Sequence, residues 1–146
     1  MPAQQFLPLM LLIGAAIPDN AQHAATDALE ASVTTTKDGV AVHTVFADPA
    51  ANSVFVRRDA SGVVERHARL NDVMIARTGT VTMILGGTIE GGAETSPGEW
   101  RGGRIVGGRS QRFDAGDMLW IPAGVPHQMI MRPGSSFTYT VVKTGQ

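Results

Sequence analysis

Two residues near the middle of the chain, Glu65 and His67, have side chains that could act together in metal binding or proton transfer. They stand two positions apart in a β-prone run, and side chains at i and i+2 of a strand point to the same face. A carboxylate and an imidazole on one face offer the oxygen and nitrogen atoms that bind divalent metal ions or move protons. Because the chain contains no cysteine, any metal must be held by nitrogen and oxygen ligands.

A third candidate residue, His127, ends a stretch that reads Gly-Asp-Met-Leu-Trp-Ile-Pro-Ala-Gly-Val-Pro-His from Gly116. The apolar run Met118–Ile121 predicts a strand, which must stop at Pro122 because proline has no N–H to donate to a sheet. Gly124 permits the backbone to turn sharply. The stretch therefore predicts a strand followed by a stiff corner that presents His127.

The spacing within this stretch resembles the second signature motif of the cupin superfamily. Gly116, Pro122, Gly124 and His127 are all in register with that motif: glycine, five residues, Pro-x-Gly, two residues, histidine. In that family the histidine is a metal ligand, so the resemblance implies the same role for His127.

A weaker resemblance to the first cupin motif lies upstream. The common form is His-x-His, three or four residues, Glu, six residues, Gly, and this chain has Glu65-x-His67, four residues, Asp72, six residues and Gly79. The sequence departs from this first motif at two positions, since Glu65 stands where the first histidine usually is and Asp72 replaces glutamate. The two motifs together place the resemblance over roughly residues 53 to 143.

The resemblance implies an all-β fold, a double-stranded β-helix or jelly-roll barrel with a short helical or unstructured N-terminal segment, and a divalent metal inside it. The implied metal ligands are Glu65, His67, Asp72 and His127. Two histidines with one or two carboxylates and open positions suit iron, manganese, nickel or zinc. Glu65 or Tyr139 would be the catalytic groups that handle protons.

Elementary electrostatics supports a metal, because burying two carboxylates and an imidazole without partners costs several kcal/mol and one divalent cation would compensate all three. Each residue also has a simpler interpretation. Glu65 could pair with Arg66 or Arg69 at the surface, and Asp72 could cap a corner at Asn71–Asp72. Tyr139 could be an ordinary buried tyrosine with a hydrogen-bond partner.

Two functions follow from these residues. The first is a metal-dependent enzyme that acts on a small organic molecule inside the barrel, by oxygenase-, isomerase- or lyase-type chemistry. The second is a non-catalytic cupin that binds a small ligand or metal, which the missing first histidine keeps open. The net charge of −1, with no basic stripe, disfavours nucleic acid and membrane surfaces as partners. The resemblance also implies a homodimer.

The rest of the chain reads as short strands separated by glycine, proline, asparagine and aspartate, giving about eight to ten strands in a single domain at residues 33–146. The pattern predicts one hairpin of Ser53–Arg58 with Val63–Leu70, and a second of Val73–Arg77 with Val81–Leu85. A third is predicted between Arg104–Val106 and Ser110–Phe113. The polar, glycine-rich segment Thr88–Gly103 predicts a long loop, in which Trp100 either anchors the loop or closes a lid.

The N-terminus differs from this pattern. Phe6–Ile17 is a mostly apolar run that is too short to span a bilayer but suits the hydrophobic region of a secretory signal peptide. No Lys or Arg precedes Lys37, so the usual basic start is missing. We expect residues 1–28 to be a signal peptide or mobile segment and the protein to be exported to a bacterial periplasm; the alternative is a cytoplasmic protein with a packed N-terminal helix.

Overall fold

The computed structural model of the protein describes residues 21–145. They form one helix, α1 (Thr26–Ser32), and thirteen strands. The strands are β1 (Val40–Ala47), β2 (Ala51–Arg58), β3 (Glu65–His67), β4 (Leu70–Thr78), β5 (Thr80–Leu85), β6 (Thr88–Glu90), β7 (Ala93–Ser96), β8 (Glu99–Arg101), β9 (Arg104–Val106), β10 (Arg109–Asp114), β11 (Met118–Ile121), β12 (His127–Ile130) and β13 (Phe137–Gly145).

Two antiparallel sheets face each other across an apolar core. The five-stranded sheet has the order β1-β2-β13-β4-β11, and the six-stranded sheet has the order β10-β5-β12-β3-β8-β7. A two-stranded ribbon, β6-β9, extends beyond them. The expected all-β jelly-roll architecture is confirmed.

Period-two alternation builds the core. Phe137, Tyr139 and Val141 on β13 are all buried, as their spacing predicts, and Val81 and Met83 of β5 pack in the same cluster. Strands of opposite sheets thus supply one continuous interior.

The hairpins predicted from adjacent runs are wrong. β2 pairs with β1 and β13, while β4 pairs with β11 and β13. β5 pairs with β10 and β12, and β9 pairs with β6. The turns at Asp59–Gly62 and Thr78–Thr80 carry the chain from one sheet to the other instead of folding it back on itself. Gly79, at φ 83°, makes the second crossing possible, because a Cβ atom at this position would collide with the backbone of Ser136.

The segment Thr88–Gly103 is also different from the prediction, because it contains three short strands, β6, β7 and β8. Strand β8 pairs with β3, where Trp100 lies opposite Arg66 and its ring packs against that guanidinium. The indole N–H donates to the Gly91 carbonyl. Trp100 therefore anchors the segment to the sheet.

At the N-terminal end of the described residues, Leu29 and Val33 bury against Phe55 on the outer side of β2. This helix agrees with the expectation of a short helical or unstructured segment ahead of the barrel. The apolar run Phe6–Ile17 lies outside the described residues. Within residues 21–145, no helix has the length and apolar character needed to cross a membrane.

Candidate metal centre

The proline corner after β11 is fixed to the two strands that carry the other candidate ligands. The N–H of Gly124 donates to the His67 carbonyl at 2.7 Å, and the N–H of Ala123 donates to the Asn71 side chain at 2.9 Å. Gly124 has φ 83°, which a residue with a side chain rarely adopts. His127 therefore leaves the corner in a position set by β3 and β4.

Strands β3 and β4 bring the remaining candidates to the same place. Glu65 is directly opposite His127 in the antiparallel pair β3–β12. His67 shares the inward face with Glu65 and is buried. Asp72 lies within β4, 4% exposed, and points inward. The alternative that Asn71 and Asp72 form a corner is therefore wrong, because β4 begins at Leu70.

All four predicted ligands converge. The Nε2 atom of His67 lies 3.8 Å from Glu65 Oε2 and 3.4 Å from Asp72 Oδ2, and the Nε2 atom of His127 lies 3.7 Å from each of those oxygens. Ligands about 2.1 Å from a shared ion at tetrahedral angles are about 3.4 Å apart, so these separations suit a transition metal. Glu65, His67 and His127 form the compact group, with ligand atoms all within 4.8 Å of one another.

The outer nitrogen of each imidazole has a fixed partner. The Nδ1 atom of His67 lies 2.5 Å from the Glu99 carboxylate, and the Nδ1 atom of His127 lies 3.1 Å from the Val125 carbonyl. Both partners accept a hydrogen bond, which places the proton on Nδ1 and leaves the lone pair on Nε2. A carboxylate or carbonyl behind a histidine is the usual support for a metal-binding imidazole.

Two cations complete the cluster, and sequence reasoning missed both. Lys143 Nζ lies 2.7 Å from Asp72 Oδ1 and 3.1 Å from His67 Nε2, and Arg101 forms an ion pair with Glu65. Lys143 could have been found from its alternation with Tyr139 on β13. Arg101 and the missed Glu99 lie in the segment predicted as a loop, so no strand pattern pointed to them.

Burial and the neighbouring charges shift the pKa values of the cluster's ionisable groups. Burial raises the pKa of the Glu65 carboxyl, but contact with His127 and the charge of Arg101 outweigh it and lower the pKa to about 2. For Asp72, burial is opposed by His67 and Lys143, and the net effect is a lowered pKa. The Asp72 carboxylate raises the pKa of His67 more than burial lowers it. Both carboxyl groups are therefore ionised at neutral pH.

The cluster opens into a cavity of about 390 Å³ inside the barrel, a size typical of a small-molecule site. Tyr139, the other residue predicted to be catalytic, lines this cavity and is buried. Its phenol oxygen accepts a hydrogen bond from Arg58 Nε at 3.2 Å. Burial raises the pKa of Tyr139, although the charge of Arg58 opposes the shift, so the phenol is neutral at physiological pH.

Fold and site together define a cupin-type barrel, a double-stranded β-helix, with an internal Glu/His/His cluster compatible with metal binding. No protein-family profile matches the sequence, and no curated protein sequence matches it.

Several solved structures have a similar fold. A Klebsiella pneumoniae protein with a double-stranded β-helix domain aligns with a TM-score of 0.60 at 13% identity, over 80% of this chain and 86% of that one. The cupin domain of Schizosaccharomyces pombe Cnp3 aligns at 0.56 and 9% identity, over 77% and 66%. The DMSP lyase DddQ of Ruegeria pomeroyi aligns at 0.54 and 14% identity, over 90% and 55%. At these identities the likeness establishes the fold alone.

Proposed function

We propose that this chain is a metal-dependent cupin enzyme that acts on a small organic molecule inside the barrel. One observation carries the proposal: ligand atoms of His67, His127 and Glu65 converge beside the cavity, which Glu65 and His127 line. A divalent iron, manganese, nickel or zinc ion bound there would supply Lewis-acid chemistry toward an oxygen of the bound molecule. Asp72 is the fourth proposed ligand.

The chain's own residues have separate tasks in this proposal. Glu65 stays ionised and serves as a ligand, since its pKa of about 2 leaves no proton to donate near neutral pH. Tyr139 keeps its proton and can donate it, because among residues 21–145 no group accepts the phenol O–H while Arg58 fixes the oxygen. This division favours proton-transfer chemistry of the isomerase or lyase type, with Tyr139 as the acid.

A non-catalytic ligand-binding cupin is the second candidate, and one observation favours it. The ammonium of Lys143 contacts both Asp72 and His67 Nε2, so it already supplies part of the positive charge that a metal would supply. A barrel whose polar cluster is balanced by Lys143 alone could hold a ligand without catalysing a reaction.

Metal content separates the metal-dependent enzyme from a ligand-binding cupin that holds no metal. Untagged protein, purified and then loaded with each of the four metals, should hold close to one equivalent by elemental analysis. His67→Ala and His127→Ala should each lose that metal, because each removes one of the converging nitrogens. His43→Ala is the matched control, since His43 lies exposed on β1.

Wild-type protein that holds no stoichiometric metal under any loading condition would refute the enzyme proposal. Equal retention of metal by His67→Ala and His43→Ala would show that the metal binds elsewhere. A small molecule co-purifying with metal-free protein would instead support the non-catalytic candidate.

We also propose, on the sequence and the family resemblance, that the protein is exported and forms a homodimer. The exposed Met118 and Trp120 on edge strand β11 support a self-association surface. N-terminal sequencing of the mature protein tests export, and an intact Met1 or Pro2 would contradict it. Light scattering of purified protein tests the dimer, and a monomeric mass at micromolar concentration would contradict it.

A further inference from the structure

The cavity that leads to the ligand cluster carries an excess of positive charge. Its charged lining consists of Arg58, Arg101 and Lys143 against the carboxylates of Glu65 and Asp72. Arg101 pairs with Glu65, and Lys143 pairs with Asp72. Among residues 21–145, Arg58 is the lining cation with no carboxylate within ion-pair distance.

Arg58 is nevertheless held in place. It lies on the inner face of β2, half-buried, and its Nε donates to the Tyr139 hydroxyl at 3.2 Å. This bond uses one donor of the guanidinium, and no described residue accepts from its two terminal nitrogens. A side chain at Gly62 would bring its Cβ within 3.3 Å of Arg58 Nη1, so the glycine leaves space beside the guanidinium tip. A fixed, partly dehydrated and unpaired guanidinium is suited to a bidentate bond with a carboxylate.

Apolar side chains line the cavity around these polar groups. Val56, Met74 and Met129 form part of its wall, and the exposed Val42 and Val63 also line it. A molecule that lies between Arg58 and the cluster therefore contacts this apolar wall along its body.

We propose that the molecule bound in this barrel is a small carboxylate with an apolar body. Its carboxylate group accepts hydrogen bonds from the terminal nitrogens of Arg58, and its other end faces the cluster of Glu65, His67 and His127. The inference rests on the proposed function only in taking the barrel cavity as the binding site. Arg58 is then a substrate-binding residue, and Tyr139, whose oxygen accepts from Arg58 Nε, keeps its O–H for the proton transfer.

The test uses hexanoate as the probe and the full chain in its metal-free form, so that no carboxylate can bind a metal instead of Arg58. Binding is followed by chemical-shift changes in protein NMR spectra. Hexanoate should bind at least about tenfold more tightly than the neutral isostere hexanamide, since a hydrogen bond to a charged group is worth a factor of that order. This comparison needs no variant and holds even if substitutions at Arg58 impair folding.

Variants then locate the carboxylate. Arg58→Gln should weaken hexanoate binding about tenfold or more while leaving hexanamide unchanged, and Arg58→Lys should recover part of the loss. Arg57→Gln is the matched control, because Arg57 is the neighbouring arginine on β2 and pairs with Asp59 away from the cavity. Equal affinity for hexanoate and hexanamide, or equal losses in Arg57→Gln and Arg58→Gln, would overturn the proposal. Tighter binding of hexyl phosphate than of hexanoate would overturn the carboxylate assignment.

The same titration after metal loading keeps this inference distinct from the proposed function. Arg58-dependent hexanoate binding by a protein that never takes up metal would support the carboxylate site and refute the metal-dependent enzyme. One equivalent of metal bound without any Arg58-dependent hexanoate binding would do the reverse.

Discussion

Replacing Lys143 with methionine should destabilise the metal-free protein more than the metal-bound protein. The Lys143 ammonium lies 2.7 Å from Asp72 Oδ1, and Asp72 is almost fully buried. Removing one partner of a buried ion pair costs about 3–5 kcal/mol. Because the Lys143 side chain is 25% exposed, water screens part of the interaction, and we expect a loss of about 1–3 kcal/mol in the free energy of unfolding of metal-free protein.

In the metal-bound protein the ion itself supplies the positive charge that faces Asp72, and a neighbouring ammonium repels it. The destabilisation by Lys143→Met should therefore shrink or change sign. Thermodynamic linkage requires the difference between the two states to appear as a gain in metal affinity. A difference of about 1–2 kcal/mol corresponds to roughly 5- to 30-fold tighter binding.

Two measurements check this prediction. Thermal unfolding of metal-free Lys143→Met should show a midpoint lowered by about 3–15 °C, given about 3–5 °C per kcal/mol for a chain of this size. Calorimetric titration with zinc or manganese should show the tighter binding. Lys37→Met is the control, since Lys37 is the other lysine of the chain and is exposed. Weaker metal binding by Lys143→Met, or an unchanged unfolding midpoint with unchanged affinity, would refute the reasoning.

Two further predictions concern residues around the cluster. Glu99→Ala should lower metal affinity about 10- to 100-fold, because it removes the hydrogen-bond acceptor of the His67 Nδ1–H. Glu99→Gln should lose less affinity, because its amide oxygen still accepts that bond. Glu90→Ala is the control on the exposed ribbon and should bind metal normally. A normal affinity in Glu99→Ala would contradict the support role. Tyr139 is the only tyrosine, so absorbance at 295 nm reports its ionisation alone, and we expect a midpoint above the ordinary value of 10. Since burial raises the pKa of Tyr139 in the folded protein, its contribution to stability is present below pH 10 and is lost as the pH rises through the folded pKa. A titration midpoint at or below 10 would refute a buried phenol.

The sequence was most informative where structure depends on local chemistry. Pro122 and Gly124 predict the corner before His127 because their backbone restrictions act on immediate neighbours. The same-face placement of Glu65 and His67 follows from strand periodicity alone. These features carry the fold assignment and most of the candidate site.

The sequence was least informative about which strands pair. In a jelly roll, neighbours in a sheet are distant along the chain, as with β3 and β8 or β2 and β13, and hydrophobic alternation does not encode the partner. The contact between Glu99 and His67 could therefore not be predicted, since it depends on the β3–β8 register. The glycine-rich composition of Thr88–Gly103 reflects its tight turns, which separate strands of only three or four residues.

The placement of the cluster at one end of the barrel follows from how the corner is attached. The hydrogen bond from Gly124 to the His67 carbonyl joins the corner to β3, and the bond from Ala123 to Asn71 joins it to β4. Strand β3 carries Glu65 and His67, β4 carries Asp72 and β12 carries His127, and all three strands thus meet at this corner. A one-residue slip of β4 or β12 would turn its ligand away from the cavity and also expose its apolar side chains, so the hydrophobic core enforces the register that the polar cluster requires.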